Sequence, residues 1–123
     1  MKNDLLIVGG FYHLGFAIFH LFFWRLFHWK KDLASLTIIN RSVMQILNLC
    51  LTFVFIVVAY ISIFYSSEMV STSFGKVITA SISIFWLIRL LEQLFFFGLK
   101  KRLSIILTIL FIAGFIIYLI PIF

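Results

Sequence analysis

The stretch Trp86-Leu87-Ile88-Arg89-Leu90-Leu91-Glu92-Gln93 sets a cation, an anion and an amide inside a run otherwise apolar enough to lie in lipid. A charge near the middle of a membrane helix costs about 2.5–3.5 kcal/mol on insertion scales, so such groups persist where something inside the protein answers them. Arg89 and Glu92 are three apart, hence on one helical face and within reach of each other. The other polar residues can then be read by asking which of them could face this pair.

Around that stretch the composition is that of a membrane protein. Of 123 residues, 64% are hydrophobic, 20% aromatic and 11% charged, with a mean hydropathy of +1.22; a soluble domain carries about 25% charged residues. A hydrocarbon core about 30 Å thick needs about 20 apolar residues per helix. The sequence supplies four such runs, predicted at 5–29, 41–65, 76–97 and 103–120. Backbone groups in lipid must be satisfied internally, and these runs lack the polar/apolar alternation of barrel strands, so they read as helices. The expectation is an all-α chain, one integral membrane domain over 1–123, built as an antiparallel up-and-down bundle of four transmembrane helices. The first run is too long for a signal peptide, carries His13 and His20, and lacks a small-residue cleavage site, so it is expected to be retained.

The net charge of +6 is placed for topology rather than for nucleic acid. Lys30, Lys31 and Arg41 bracket the first connection and Lys100, Lys101 and Arg102 form the third, whereas the other side has Lys2 and Lys76 offset by Asp4 and Glu68. The positive-inside rule then puts connections one and three in the cytoplasm and both termini outside, in a cell (inner) membrane. The same basic residues would attract anionic lipid headgroups. Cys50 is the only cysteine, which excludes an intramolecular disulfide and a cysteine-pair metal site, and leaves a free thiol that behaves as a small hydrophobe.

Two polar seams can be traced toward Arg89. On the first helix His13, Ala17, His20, Trp24 and Phe27 form one stripe at spacings of four and three, the face turned toward a bundle. On the second, Arg41, Gln45, Asn48 and Thr52 repeat at four, three and four. At 1.5 Å per residue, His20, Asn48 and Arg89 fall roughly 10–14 Å from the cytoplasmic helix ends, and Trp24, Gln45 and Glu92 roughly 6–8 Å. The candidate binding site is therefore Arg89 with Glu92, surrounded by Gln93, Gln45, Asn48, His20 and Trp86. His13 is expected to pair with Tyr118 or Ser81. The last helix, with only Thr108, Gly114 and Tyr118 of note, reads as a lipid-facing wall or an oligomer surface. Ser35, Thr37 or Asn40 should cap the second helix.

The stretches GFYHLGFAIFHLFFW at 10–24 and NRSVMQILN at 40–48 resemble small four-helix bacterial integral membrane proteins. The likeness runs over nearly the whole chain. It implies a bacterial cytoplasmic membrane, and it implies no activity.

The sequence has no P-loop, no H-E-x-x-H, no C-x-x-C and no defensible Ser-His-Asp order. Bis-histidine haem would need a dimer, since residues seven apart on one helix face the same way. No catalytic residue, metal or cofactor is expected. Three functions stay open. The first is binding, or helping to transport, a polar or anionic small molecule or lipid headgroup near Arg89. The second is a non-catalytic assembly subunit, its seam joining another copy or a membrane protein partner. The weakest is an enzyme acting on lipid or quinone with Glu92 and His20 as acid–base groups, because no nucleophile is visible. Buried polar groups also serve simply as glue between helices, at about 0.6 kcal/mol per bond.

Overall fold

The computed structural model describes residues 1–123 and is helical throughout, with no strand. Seven helices are formed: α1 (Lys2–Leu21), α2 (Phe23–Leu26), α3 (Trp29–Asp32), α4 (Ile38–Phe64), α5 (Ser66–Ser71), α6 (Ser73–Phe96) and α7 (Arg102–Leu119). Four of them, α7 being counted with the short turn Ile120–Ile122 that continues it, are long and apolar enough to cross a membrane.

The first predicted run, 5–29, is not one helix. α1 ends at Leu21, Phe22 and Phe27 leave the helical region (φ −95° and −108°), and His28 adopts φ +53°. Aromatic side chains lose rotamer freedom in a helix, and this segment strings Phe22, Phe23, Trp24, Phe27 and Trp29 together. The break lets Phe23 pack against Phe19, Phe27 and Trp29 at ring separations of 4.9–5.4 Å. Trp29 and Leu33 are buried by this fold-back. Trp24, expected on the inward stripe, is instead 44% exposed, because the helix that would have carried it inward has already stopped.

The next helix starts where the side chains cap it. Thr37 Oγ1 accepts from the Asn40 amide, and the Arg41 guanidinium donates to the carbonyls of Leu33, Ala34 and Leu36. Arg41 thus pins the connection rather than opening a seam. Thr72 likewise accepts from the Gly75 amide at 2.9 Å and starts α6.

α1 packs along α4 and α6 along α7, and the two pairs meet where α1 touches α7. Asn3, at the start of α1, donates to Ser67 just beyond α4, while His20 near the end of α1 bonds Asn48 in the first half of α4. Glycines allow two of the close approaches: a methyl at Gly9 would meet the Tyr118 ring, and one at Gly114 would meet the Tyr12 hydroxyl and Trp86. α7 departs from its reading as a plain wall. Ser104, Thr108, Phe111, Gly114 and Tyr118 are buried at spacings of four and three, so this helix faces inward with its small and polar residues.

Polar side chains share the interior with the apolar core, and the exterior is strongly apolar. Buried polar side chains include His13, Thr52, Ser62, Thr79, Ser83 and Gln93, whereas large apolar residues such as Leu47, Phe53, Phe95 and Ile109 are more than half exposed. Soluble monomers rarely show apolar surface on that scale.

Candidate functional site

Each of the four long helices contributes one aromatic residue to a layer across the middle: Phe16, Phe55, Trp86 and Phe111. Phe55 and Phe111 each stack against the Trp86 indole, at 5.7 and 5.5 Å, and Phe16 closes against it at 5.0 Å. These rings bury large area and prefer such offset and tilted contacts.

Next to this layer is a closed hydrogen-bonded network. The Trp86 indole N–H, which can only donate, gives its hydrogen to His13 Nε2 at 3.1 Å. His13 is therefore neutral with its proton on Nδ1, which lies 2.8 Å from the Gly9 carbonyl and 3.1 Å from the Tyr118 hydroxyl. Tyr118 in turn bonds Ser62 at 2.7 Å. His13, Trp86, Tyr118 and Ser62 are each at most 1% exposed. Of the two partners foreseen for His13, the structure has Tyr118; Trp86 was read as packed inside but not as a hydrogen-bond donor.

On the other face of the aromatic layer is a cavity of about 600 Å³. Phe16, Phe55, Trp86 and Phe111 line its inner end, and Phe27, Trp29, Phe97 and Lys101 its other end, beside the first and third connections. Twelve of its seventeen lining residues are hydrophobic; the polar ones include Arg89, Lys101, His20, Gln93 and Ser104, and no carboxylate is among them. The Arg89 guanidinium lies 4.8 Å from the centre of the Phe111 ring, a cation–π contact. α7 begins at Arg102, so the positive end of its dipole lies at the same place.

Of the seven residues expected to converge, four line this cavity: Arg89, Gln93, His20 and Trp86. Glu92 does not. It pairs with Arg89 at 2.8 Å, but along the same helix and near the surface, the two side chains being 32% and 46% exposed. With about 100° per residue, Glu92 points about 120° away from Trp86 whereas Gln93 points within about 20° of it. The centre is thus the Trp86–Gln93 face rather than the ion pair. Gln45 also stays outside and donates to the Arg41 carbonyl of its own helix. Asn48 is consumed by a reciprocal pair: His20 Nδ1 lies 2.7 Å from its Oδ1, and its Nδ2 donates to the His20 carbonyl at 3.0 Å. It positions the imidazole, which stacks on Phe23 at 4.2 Å.

Sequence reasoning missed Lys101 and Ser104 at the cavity and the rings of Phe16, Phe55 and Phe111 in its wall. With 17 phenylalanines in the chain, nothing marks those three except a shared depth. Lys101 reads from the sequence as a topology signal and a surface attraction for anionic headgroups, not as part of a cavity lining.

The chain matches no known family, no curated protein and no solved structure.

Proposed function

We propose that this chain is a multi-pass protein of a bacterial inner (cytoplasmic) membrane, an antiparallel up-and-down bundle of four transmembrane helices that binds a small amphiphilic anion at its basic end. The apolar exterior, the polar interior and the Asn3–Ser67 and His20–Asn48 contacts at opposite ends of α1 and α4 support the architecture. Lys30, Lys31, Lys100, Lys101 and Arg102 in connections one and three support a cytoplasmic location for that end, with both termini outside.

The observation that carries the function is the lining of the cavity: an aromatic wall, no carboxylate, and two cations, Lys101 and an Arg89 that is also paired with Glu92 outside the lining. Its volume falls among those of small-molecule sites, and its lining is of their type, mostly apolar with a few convergent polar groups. Binding is favoured over passage through the bundle, because the stacked layer of Phe55, Trp86 and Phe111 and the closed His13 network block the inner end. The test is titration of the detergent-solubilised protein with an anionic lipid carrying a brominated chain, in a Trp24→Phe, Trp29→Phe background so that Trp86 alone reports. Saturable quenching that disappears in the double variant Arg89→Ala, Lys101→Ala is expected. Quenching that is unsaturable, or unchanged by that variant, refutes the site.

A second reading rests on the half-exposed Arg89–Glu92 pair, which another helix could cover as in an assembly subunit. It requires a stoichiometric partner protein, or a second copy, that is lost when Glu92 is replaced by Leu.

A further inference from the structure

An amphiphile whose anionic group sits at Arg89 and Lys101 has no room for its tail along the bundle axis, because Phe55, Trp86 and Phe111 close the inner end of the cavity. The basic end offers the tail charge and water, so it must leave sideways, between two helices. The structure has such a way out between α1 and α7.

Toward the end that holds the His13 network these two helices are tied together. Gly9 lies against the Tyr118 ring, Gly114 against Tyr12, and the Tyr12 hydroxyl donates to the Leu110 carbonyl. Toward the basic end they part around a second cavity, a cleft of about 390 Å³ lined by Phe11, Tyr12 and Gly15 of α1 and by Ile106 and Leu110 of α7. Its other four lining residues, Phe16, Phe19, Leu103 and Leu107, also line the first cavity. Those four form a common wall. No charged side chain lines the cleft, and its rim is open, with Phe11, Leu103 and Ile106 45–61% exposed. Such a surface suits hydrocarbon.

A glycine marks the cleft. Gly9, Gly10, Gly75 and Gly114 each stand where a methyl would strike a neighbour, and Gly98 has the positive φ that favours glycine. Gly15 has neither reason: a methyl there would meet nothing within 4 Å, although glycine inside a helix is destabilising relative to alanine. The space it leaves belongs to the cleft. The groove of about 270 Å³ between α4 and α6 is a poorer exit, because it shares only Phe55 with the first cavity and lies beside His13, beyond the aromatic layer.

We infer that the cleft between α1 and α7 seats an acyl chain of the bound amphiphile, while the anionic group stays at Arg89 and Lys101. The chain passes the common wall at Phe19 and Leu107, which are only partly buried. The inference rests on the proposal that the first cavity binds an amphiphilic anion, and it adds where the tail lies and from which side the molecule enters.

The probe is phosphatidylglycerol carrying a diazirine near the end of one acyl chain, added to the full chain in non-ionic detergent, photolysed and mapped by peptide mass spectrometry. Labelling should concentrate on 11–19 and 103–110, and should fall at least tenfold in the double variant Arg89→Ala, Lys101→Ala. Gly15→Phe, whose Cβ meets nothing in the protein, should fold as the unaltered chain does and bind the lipid about tenfold more weakly, toward the low end of the cost of overpacking an apolar site. Should it fail to fold, Ile106→Trp on the opposite side of the cleft serves the same purpose. Labelling that needs Arg89 and Lys101 but falls between α4 and α6, or an affinity unchanged by both cleft variants, overturns the inference and leaves the first cavity standing. A dimer that Gly15→Phe dissociates gives the cleft to a second copy and also overturns it. Labelling spread over the exposed apolar residues of all four long helices, and indifferent to the double variant, overturns the cleft and the cavity together.

Discussion

Two regions meet at Trp86 and treat their polar groups in opposite ways. On one side, His13, Tyr118 and Ser62 spend every buried side-chain nitrogen and oxygen on one another, on the Trp86 indole or on the Gly9 carbonyl, in a network with no accessible surface to speak of. On the other, Arg89, Lys101, His20 and Gln93 surround about 600 Å³ of space, and the Gln93 carbonyl oxygen is left over. A satisfied buried network fixes how helices pack; an unsatisfied group beside a cavity is a cost that packing alone does not repay. On the proposed function, the difference separates residues that hold this fold from residues that would meet a ligand.

The largest effect should come from the residue the regions share. Trp86→Ala removes the plate on which Phe55 and Phe111 stack, and should cost about 3–5 kcal/mol in thermal or denaturant unfolding in detergent. It should also abolish anionic amphiphile binding, so it breaks the comparison from both sides at once.

Single-region variants should separate the two. His13→Leu leaves the indole N–H and the Tyr118 hydroxyl short of a partner and should cost about 1–3 kcal/mol, with amphiphile affinity unchanged in a binding titration. Arg89→Ala should behave conversely. Loss of a charge-assisted bond should weaken binding by about 10- to 150-fold, while unfolding shifts by no more than about 1 kcal/mol, since the Glu92 partner is half exposed.

The smallest effects discriminate most finely. Ser62→Ala should destabilise by about 0.6 kcal/mol, the mean for a hydrogen bond between membrane helices. Gln93→Leu, equally buried, should leave stability unchanged or raise it, because it removes an acceptor that nothing in the protein satisfies. A loss of 1 kcal/mol or more in that variant, seen in the unfolding midpoint, would mean that Gln93 belongs with the network and that the two regions are not different in kind.

How far the sequence could be read follows the same division. Four long apolar runs imply four long helices, since nothing else satisfies backbone groups in an apolar setting. Trp86 was legible as interior, being far from either helix end, and His13 could be matched to Tyr118. The polar seams of α1 and α4 were also legible far enough to bring His20 and Asn48 to one depth, where they pair. What failed was direction around each helix. Charge draws attention to Arg89 and Glu92, yet rotation about α6 carries Glu92 outward and Gln93 inward. The break after Leu21 was hidden because a Phe- and Trp-rich run satisfies a hydropathy window whether or not it stays helical. α7 looked plain because Ser104, Thr108 and Gly114 of its inward stripe are residues that hydropathy weighs lightly and close packing favours, and Phe111 is one phenylalanine in an apolar run, which left Tyr118 as its one conspicuous inward residue.

The most direct test of the central claim, that the basic end is a ligand site and the far end is structure, is native mass spectrometry of the full chain released from a mild detergent. The account predicts a retained mass, that of an anionic amphiphile, which disappears in the Arg89→Ala, Lys101→Ala double variant and survives in Ser62→Ala. A bare protein, or a retained mass indifferent to Arg89 and Lys101, would contradict it.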